Sequence, residues 1–229
     1  MKQFRIVVWA MCLASTAAAD IDYAVARSVV QIQAKPPEGG RVFMGSGVVV
    51  ADGRVATNCH VTLNASSIFV RKGGLRFPAV RERADVKRDL CLLDVAGLGS
   101  EPAKLGRANR LVAGDTLYLL GFPRALGLSW SKGTVRSLHP YRGGRIIETS
   151  ADFAEGASGG GLFNGRSELV GIATFFSAGR ERHYFAIPVE WIPLVQKSAA
   201  AREIGPFSGL PFWQDSHHLP SFLRVPRPR

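Results

Sequence analysis

Residues 155–163 read EGASGGGLF, and the one hydroxyl among them, Ser158, stands between residues that carry almost no side chain. Glycine tolerates φ > 0 and lets backbone pass close to a ligand, so the run is either a flexible linker or a turn that presents a nucleophile. Its flanks favour the turn. GLF and ELVGIATFF (168–176) lie on either side of Asn164-Gly165, which is the pattern of a β-hairpin.

Working outward, most of the chain is built the same way. RVFMGSGVVV (41–50) and RVATNCHV (54–61) flank Ala51-Asp52-Gly53. Further short β-branched or aromatic runs are SSIFVRK (66–72), LCLLDVA (90–96), DTLYLLGF (115–122), SKGTVRSL (131–138), GRIIETS (144–150) and HYFAIPV (183–189). That supply of strands is what two small closed barrels consume, so the fold class is all-β. Small and polar residues in LGRANRLVAGD (105–115) interrupt the strands, dividing them into barrels over about 25–107 and 112–190. After Val189 the pattern changes: EWIPLVQKSAAARE (190–203) reads as a helix that packs Trp191, Leu194 and Val195 inward, with Pro193 near its first turn. A domain over 20–197 is therefore followed by a Pro-rich tail, 198–229, expected to run extended over the surface or without order.

The first 19 residues have two cations, an apolar run from Ile6 to about Ala14 and Ala17-Ala18-Ala19, the layout of a secretory signal peptide. The run falls short of the roughly 20 apolar residues of a membrane span. The chain is thus expected to be exported, to the periplasm or the extracellular space. Losing Lys2 and Arg5 lowers the net charge from +11 to +9. Cations cluster in RKGGLRFPAVRERADVKRD (71–89) and RVPRPR (224–229), which could attract an anionic envelope surface. No aromatic ladder or nucleic-acid motif accompanies them, so a solvated surface is the simpler reading and no nucleic-acid partner is expected. Beyond the leader there are two cysteines, Cys59 and Cys91. A disulfide and a pair of buried thiols are equally compatible with their apolar settings.

A serine hydroxyl is a poor nucleophile at neutral pH; it needs a base, a carboxylate to orient the base, and donors for the developing oxyanion. His60 ends a strand-like run, Asp89 opens DLCLLDV (89–95), and Ser158 follows in the glycine loop. Asp85, Asp94 and Asp115 are rival acids with poorer strand context. The amides of Gly156 and Ser158 bracket the hydroxyl and are the expected oxyanion hole. A lone histidine is usually structural and a glycine cluster is weak evidence. Their occurrence in the order His, Asp, Ser, with strands between, favours catalysis over both.

GSGVVVADGRVATNCHV (45–61), DLCLLDV, GDTLYLLGFP (114–123), SKGTV and EGASGGGLFNGRSELVGIATFF (155–176) together resemble the trypsin-like serine peptidases of the HtrA (Deg) branch, over roughly residues 42–189. The resemblance implies a double β-barrel with the active site between the barrels and a C-terminal helix. It also implies a catalytic triad of His60, Asp89 and Ser158, protein or peptide substrates, and no cofactor; the histidines and cysteines lack zinc-ligand spacing, so no metal is expected. GIATFF then supplies one wall of the S1 pocket through Thr174, Phe175 and Phe176. Asp152, six residues before Ser158, is a further pocket candidate. The aromatics favour small or medium apolar P1 residues over basic ones.

The chain departs from that branch in three places. Only the tail follows the peptidase pattern, where the relatives commonly carry PDZ domains. QIQAKPPEGGRVF (31–43) is too short for the long early regulatory loop, and Cys59 replaces a polar residue before the histidine. Ala157 stands where digestive trypsin-like enzymes have the aspartate that pairs with a freed N-terminal amine. The oxyanion loop must then be ordered by its own hydrogen bonds or by a partner, and leader removal should not act as activation.

Two other readings compete. GASGG also satisfies G-x-S-x-G, the nucleophile elbow of an α/β-hydrolase esterase, with Asp215 and His217 or His218 as formal partners. Those residues sit in the Pro-rich tail, and no strand and helix alternation accompanies them. A catalytically silent binding module on a protease fold is the non-enzymatic alternative, against which the presence of all three triad residue types argues.

Overall fold

The computed structural model describes residues 21–177 and 182–224; the leader read over residues 1–19 lies outside the described residues. The expected all-β double barrel is what forms. The first barrel comprises β1 (Val29–Lys35), β2 (Phe43–Ala51), β3 (Arg54–Thr57), β4 (Ser67–Lys72), β5 (Leu75–Asp85) and β6 (Leu90–Val95). All pairings are antiparallel, in the order β5-β4-β1-β2-β3-β6, and β5 closes onto β6. The second comprises β7 (Thr116–Gly121), β8 (Ser129–Tyr141), β9 (Gly144–Thr149), β10 (Gly161–Asn164), β11 (Leu169–Ser177) and β12 (His183–Pro188), closed in the order β10-β11-β12-β9-β8-β7. Closure removes the free strand edges that an open sheet would leave to aggregate.

Each barrel fills its interior with its own aliphatic set. Val30, Ile32, Val55, Ile68, Val70 and Leu93 pack inside the first. Leu117, Leu119, Ile147, Leu162 and Val170 pack inside the second. A third cluster joins them: Val48, Leu90 and Leu92 from the first barrel meet Phe163, Ile172, Phe185 and Trp191. The cleft between the barrels is therefore floored by continuous packing, which fixes one barrel against the other.

Two expectations need correction. In the helix α2 (Trp191–Ser198), Trp191, Ile192 and Val195 are buried, whereas Leu194 is 43% exposed. Residues i, i+1 and i+4 share one face of a 3.6-residue turn, and position i+3 falls at its margin here. Pro193 fits in the first turn, where amides have no helical partner. The helix ends earlier than its pattern suggested, and Arg202–Glu203 form a short strand, β13, on β5. Over its described residues the tail beyond is not a loose strap. Its Phe212 is 3% exposed and belongs to the shared core.

Candidate active site

β3 ends at Thr57, and Asn58 leads into α1 (Cys59–Thr62), a single turn that carries His60. On the neighbouring strand, Asp89 precedes β6 in the left-handed region (φ 56°, ψ 37°), a conformation that Asp tolerates better than most residues. The Asn58 side-chain Nδ2 donates to the Asp89 carbonyl at 3.0 Å and to the Thr174 hydroxyl at 3.1 Å, tying the three elements together. A disulfide joins Cys59 and Cys91, so the residue before His60 is covalently bound to the strand that follows Asp89.

These supports bring acid and base into contact. His60 Nδ1 lies 2.7 Å from Asp89 Oδ2, and the His60 backbone amide donates to Asp89 Oδ1 at 2.9 Å. The Asp89 side chain is fully buried while that of His60 remains 23% exposed. A buried carboxylate on Nδ1 fixes the tautomer that leaves Nε2 free to accept a proton. The rival acids are engaged elsewhere. Asp94 pairs with Arg54 and Arg83 at 2.9 and 3.0 Å. Asp85 pairs with Arg88, and Asp115 accepts from the Val112 amide.

Ser158 follows β9 on the loop into β10. Its hydroxyl donates to the Thr174 carbonyl at 3.1 Å, and among the described residues no hydrogen bond joins it to His60. The loop is held from both barrels. The Ser158 carbonyl accepts from the Ser46 amide at 2.8 Å, and the Gly156 carbonyl accepts from the Ser46 hydroxyl. Gly156 adopts φ +91° and Gly159 φ +88°; at Gly159 a Cβ would lie 2.0 Å from the Ser46 carbonyl oxygen, so no larger residue fits. The Glu155 carbonyl accepts from the Arg124 amide at 2.8 Å, which turns the Gly156 amide of the same peptide the opposite way. Among the described residues, neither the Gly156 nor the Ser158 amide has an acceptor. Two adjacent unsatisfied donors beside a hydroxyl can receive an oxyanion.

Of the pocket candidates, Asp152 is exposed and lines a cleft together with Leu119, Phe153, Arg182 and Tyr184. Phe176 packs edge-on against Phe153, with ring centroids 6.0 Å apart, and against Tyr184. Successive side chains of β11 face opposite ways, so Phe175 points from that cleft and stacks on Phe185 and Trp213 at 4.7 and 5.0 Å. Thr174 is buried and reaches the site through its carbonyl.

Sequence reading missed three contributors. Ser46 left only the trace of a small polar residue between two glycines in a strand. The Arg124 amide left none, being a backbone group. Trp213 donates its indole N–H to Asp89 Oδ2 at 2.9 Å and meets the His60 ring edge-to-face at 5.4 Å. It was hidden in a tail without periodicity. Among the described residues no three His, Cys, Asp or Glu side chains gather to hold a metal ion.

A family model described as the trypsin-like peptidase domain matches residues 45–172. The chain belongs to that family. Its relatives include proteases of the HtrA branch. A mitochondrial serine protease HTRA2 of Drosophila grimshawi is 31% identical over 205 residues, covering 80% of this chain and 47% of that protein. A probable periplasmic DegP-like serine endoprotease of Ectopseudomonas mendocina is 35% identical over 177 residues, covering 72% and 37%. The chain thus spans half or less of the length of these curated relatives. Among solved structures, the HtrA-type protease AlgW with a tripeptide superposes with a TM-score of 0.69 at 27% identity, covering 76% of this chain and 62% of that one. The active form of the M. tuberculosis protease Rv3671c reaches 0.74 over 91% and 95% of the chains; at 20% identity it shares the fold.

Proposed function

We propose that this trypsin-like peptidase domain is a serine endopeptidase in which Ser158 is the nucleophile, His60 the general base and Asp89 the residue that orients the base. The observation that carries the reading is the doubled contact of Asp89 with His60, through both ring and backbone, beside a loop whose two amides lack acceptors.

In the resting arrangement the Ser158 hydroxyl is parked on the Thr174 carbonyl. Rotation about its Cα–Cβ bond directs it to His60 Nε2, which takes the proton as Oγ attacks the scissile carbonyl carbon. The carbonyl oxygen becomes an oxyanion, accepted by the Gly156 and Ser158 amides. Collapse expels the amine, which receives the proton from His60 and leaves an acyl-enzyme. Water, deprotonated by the same imidazole, releases the acid and restores Ser158. The substrates are protein or peptide chains. The crystallised relative AlgW holds short peptides, which supports that class. Phe153 and Tyr184 line the cleft that contains Asp152, with Phe176 packed against both, so small or medium apolar P1 residues are preferred. Arg182 in the same cleft works against a basic P1 side chain.

The leader layout and a DegP-like relative named as periplasmic support export to the periplasm or beyond. A fluorophosphonate probe tests the assignment. It should label the native protein at Ser158 and fail on Ser158→Ala and on heat-unfolded protein; labelling at another residue would overturn it.

A further inference from the structure

We propose that Trp213 is a positioning residue of this site, and that the segment after α2 is therefore part of the catalytic apparatus. The proposal rests on the serine peptidase reading above. Burying a carboxylate is costly unless donors replace the water it loses. Asp89 Oδ1 accepts from the His60 amide, and Oδ2 accepts from two groups, the His60 ring and the Trp213 indole. Without the indole, Oδ2 keeps only the partner whose charge changes during the reaction. Thr174 does not replace it. Its hydroxyl donates to the Ile172 carbonyl and receives the Asn58 amide. Among the described residues, no other side chain donates to the Asp89 carboxylate.

The indole is itself held. One face lies parallel to Phe175, 5.0 Å between centroids and 11° between planes, and Phe175 stacks in turn on Phe185. The preceding residue, Phe212, is buried against Tyr141 at 4.8 Å. Upstream, β13 pairs with β5, and the Phe207 amide donates to the Leu63 carbonyl just after α1. The segment thus crosses the first barrel, bonds to the residue that follows the helix bearing His60, and sets an indole against both His60 and Asp89. The near-perpendicular contact of that indole with the His60 ring, at 88°, restricts ring rotation. A fixed imidazole is what proton transfer in both directions needs.

Trp213→Ala removes ring and donor together and can unsettle the fold, so Trp213→Phe, which keeps an aromatic ring on Phe175 but has no N–H, is the deciding variant. Its kcat for a peptide substrate should fall about ten- to a hundredfold, the range for losing one charge-assisted hydrogen bond. KM should stay at its wild-type value, and the melting midpoint should fall by only a few degrees, since Asp89 loses one donor while the ring stays in place. The downfield proton resonance of the His60–Asp89 hydrogen bond should move. Wild-type kcat with an unmoved resonance would overturn the proposal. So would a loss shared between KM and the melting midpoint with the resonance unmoved, which would make Trp213 a packing residue. If the wild-type chain shows no Ser158-dependent cleavage, the peptidase reading fails instead, and the resonance decides alone: moved in Trp213→Phe, it upholds the contact; unmoved, it refutes it.

Discussion

The hydroxyl of Ser46, on a strand of the first barrel, donates a 2.8 Å hydrogen bond to the carbonyl of Gly156, in the glycine-rich loop of the second. The Ser46 Oγ also accepts the Phe122 amide at 2.8 Å, so one small side chain stitches three segments around Gly156 and Ser158. With the Arg124 amide on the Glu155 carbonyl, it ties the Gly156–Ser158 loop to both barrels. Ser46→Ala removes both bonds and leaves the Phe122 amide without a partner. A lost buried hydrogen bond is worth about 1–3 kcal/mol. The expected result is a fall in kcat of about ten- to a hundredfold with KM little changed, read by steady-state kinetics on a peptide substrate; undiminished kcat would show that the loop orders without it.

The disulfide between Cys59 and Cys91 closes a loop of 32 residues that contains His60 and Asp89. Loop-closure entropy assigns such a link about 3–4 kcal/mol. The Cys59→Ser, Cys91→Ser double variant should melt roughly 10 °C lower, at about 2–4 °C per kcal/mol for a chain of this size. A reducing agent should lower the wild-type midpoint to the same value and leave the double variant unmoved. Equal midpoints without reductant would contradict the stabilising role.

Glu82 is 1% exposed, and among the described residues its Oε2 has no hydrogen-bond partner. Burial pushes its carboxyl above the usual glutamate range, against the Thr62 hydroxyl bond and the Arg202 charge, which act to lower it. The folded chain therefore holds this proton to a higher pH than the unfolded chain. The associated stability is intact below the unfolded value of about 4.3 and declines as pH rises from there through the folded value. Glu82→Gln, which keeps an acceptor for Thr62, should raise the melting midpoint at pH 7 by roughly 2–4 °C and change little below pH ~4. Calorimetry at the two pH values checks this; an equal effect at both would refute the burial argument.

How much of this was legible in the sequence depended on how local each signal was. The strands announced themselves because burial of one or both faces leaves a pattern within six or seven residues, and the turns because Gly53 and Asn164 carry their chemistry alone. The Asn164-Gly165 turn is nevertheless longer than a two-residue hairpin. Asn164 Oδ1 accepts the amides of Arg166 and Glu168, and Ser167 takes the positive φ. His60, Asp89 and Ser158 were readable as candidates because each sits in a motif of its own. Ser46, Arg124 and Trp213 were not, because their roles exist only once distant segments meet. Leu194 was misread inward because a short helix allows more than one apolar face.

Phe176 closes an aromatic set with Phe153 and Tyr184 beside the cleft of Asp152. Phe176→Ala should widen that cleft and shift cleavage toward larger apolar P1 residues by about tenfold or more, the scale on which pocket volume discriminates. Asp152→Asn should leave the profile nearly unchanged, since that carboxylate is exposed to water. Both are read from a peptide-library profile. A wild-type profile dominated by Arg and Lys, abolished by Asp152→Asn, would reverse the assignment.

The central claim is that His60, Asp89 and Ser158 act as one catalytic unit, and the most direct measurement is kcat/KM for an unfolded protein substrate in wild type, Ser158→Ala, His60→Ala and the Ser158→Ala, His60→Ala double variant. The account predicts a loss of roughly 10⁴-fold or more in each single variant and almost no further loss in the double, because residues of one unit are not additive. Cleavage by Ser158→Ala at the wild-type rate, or losses that multiply in the double variant, would contradict it.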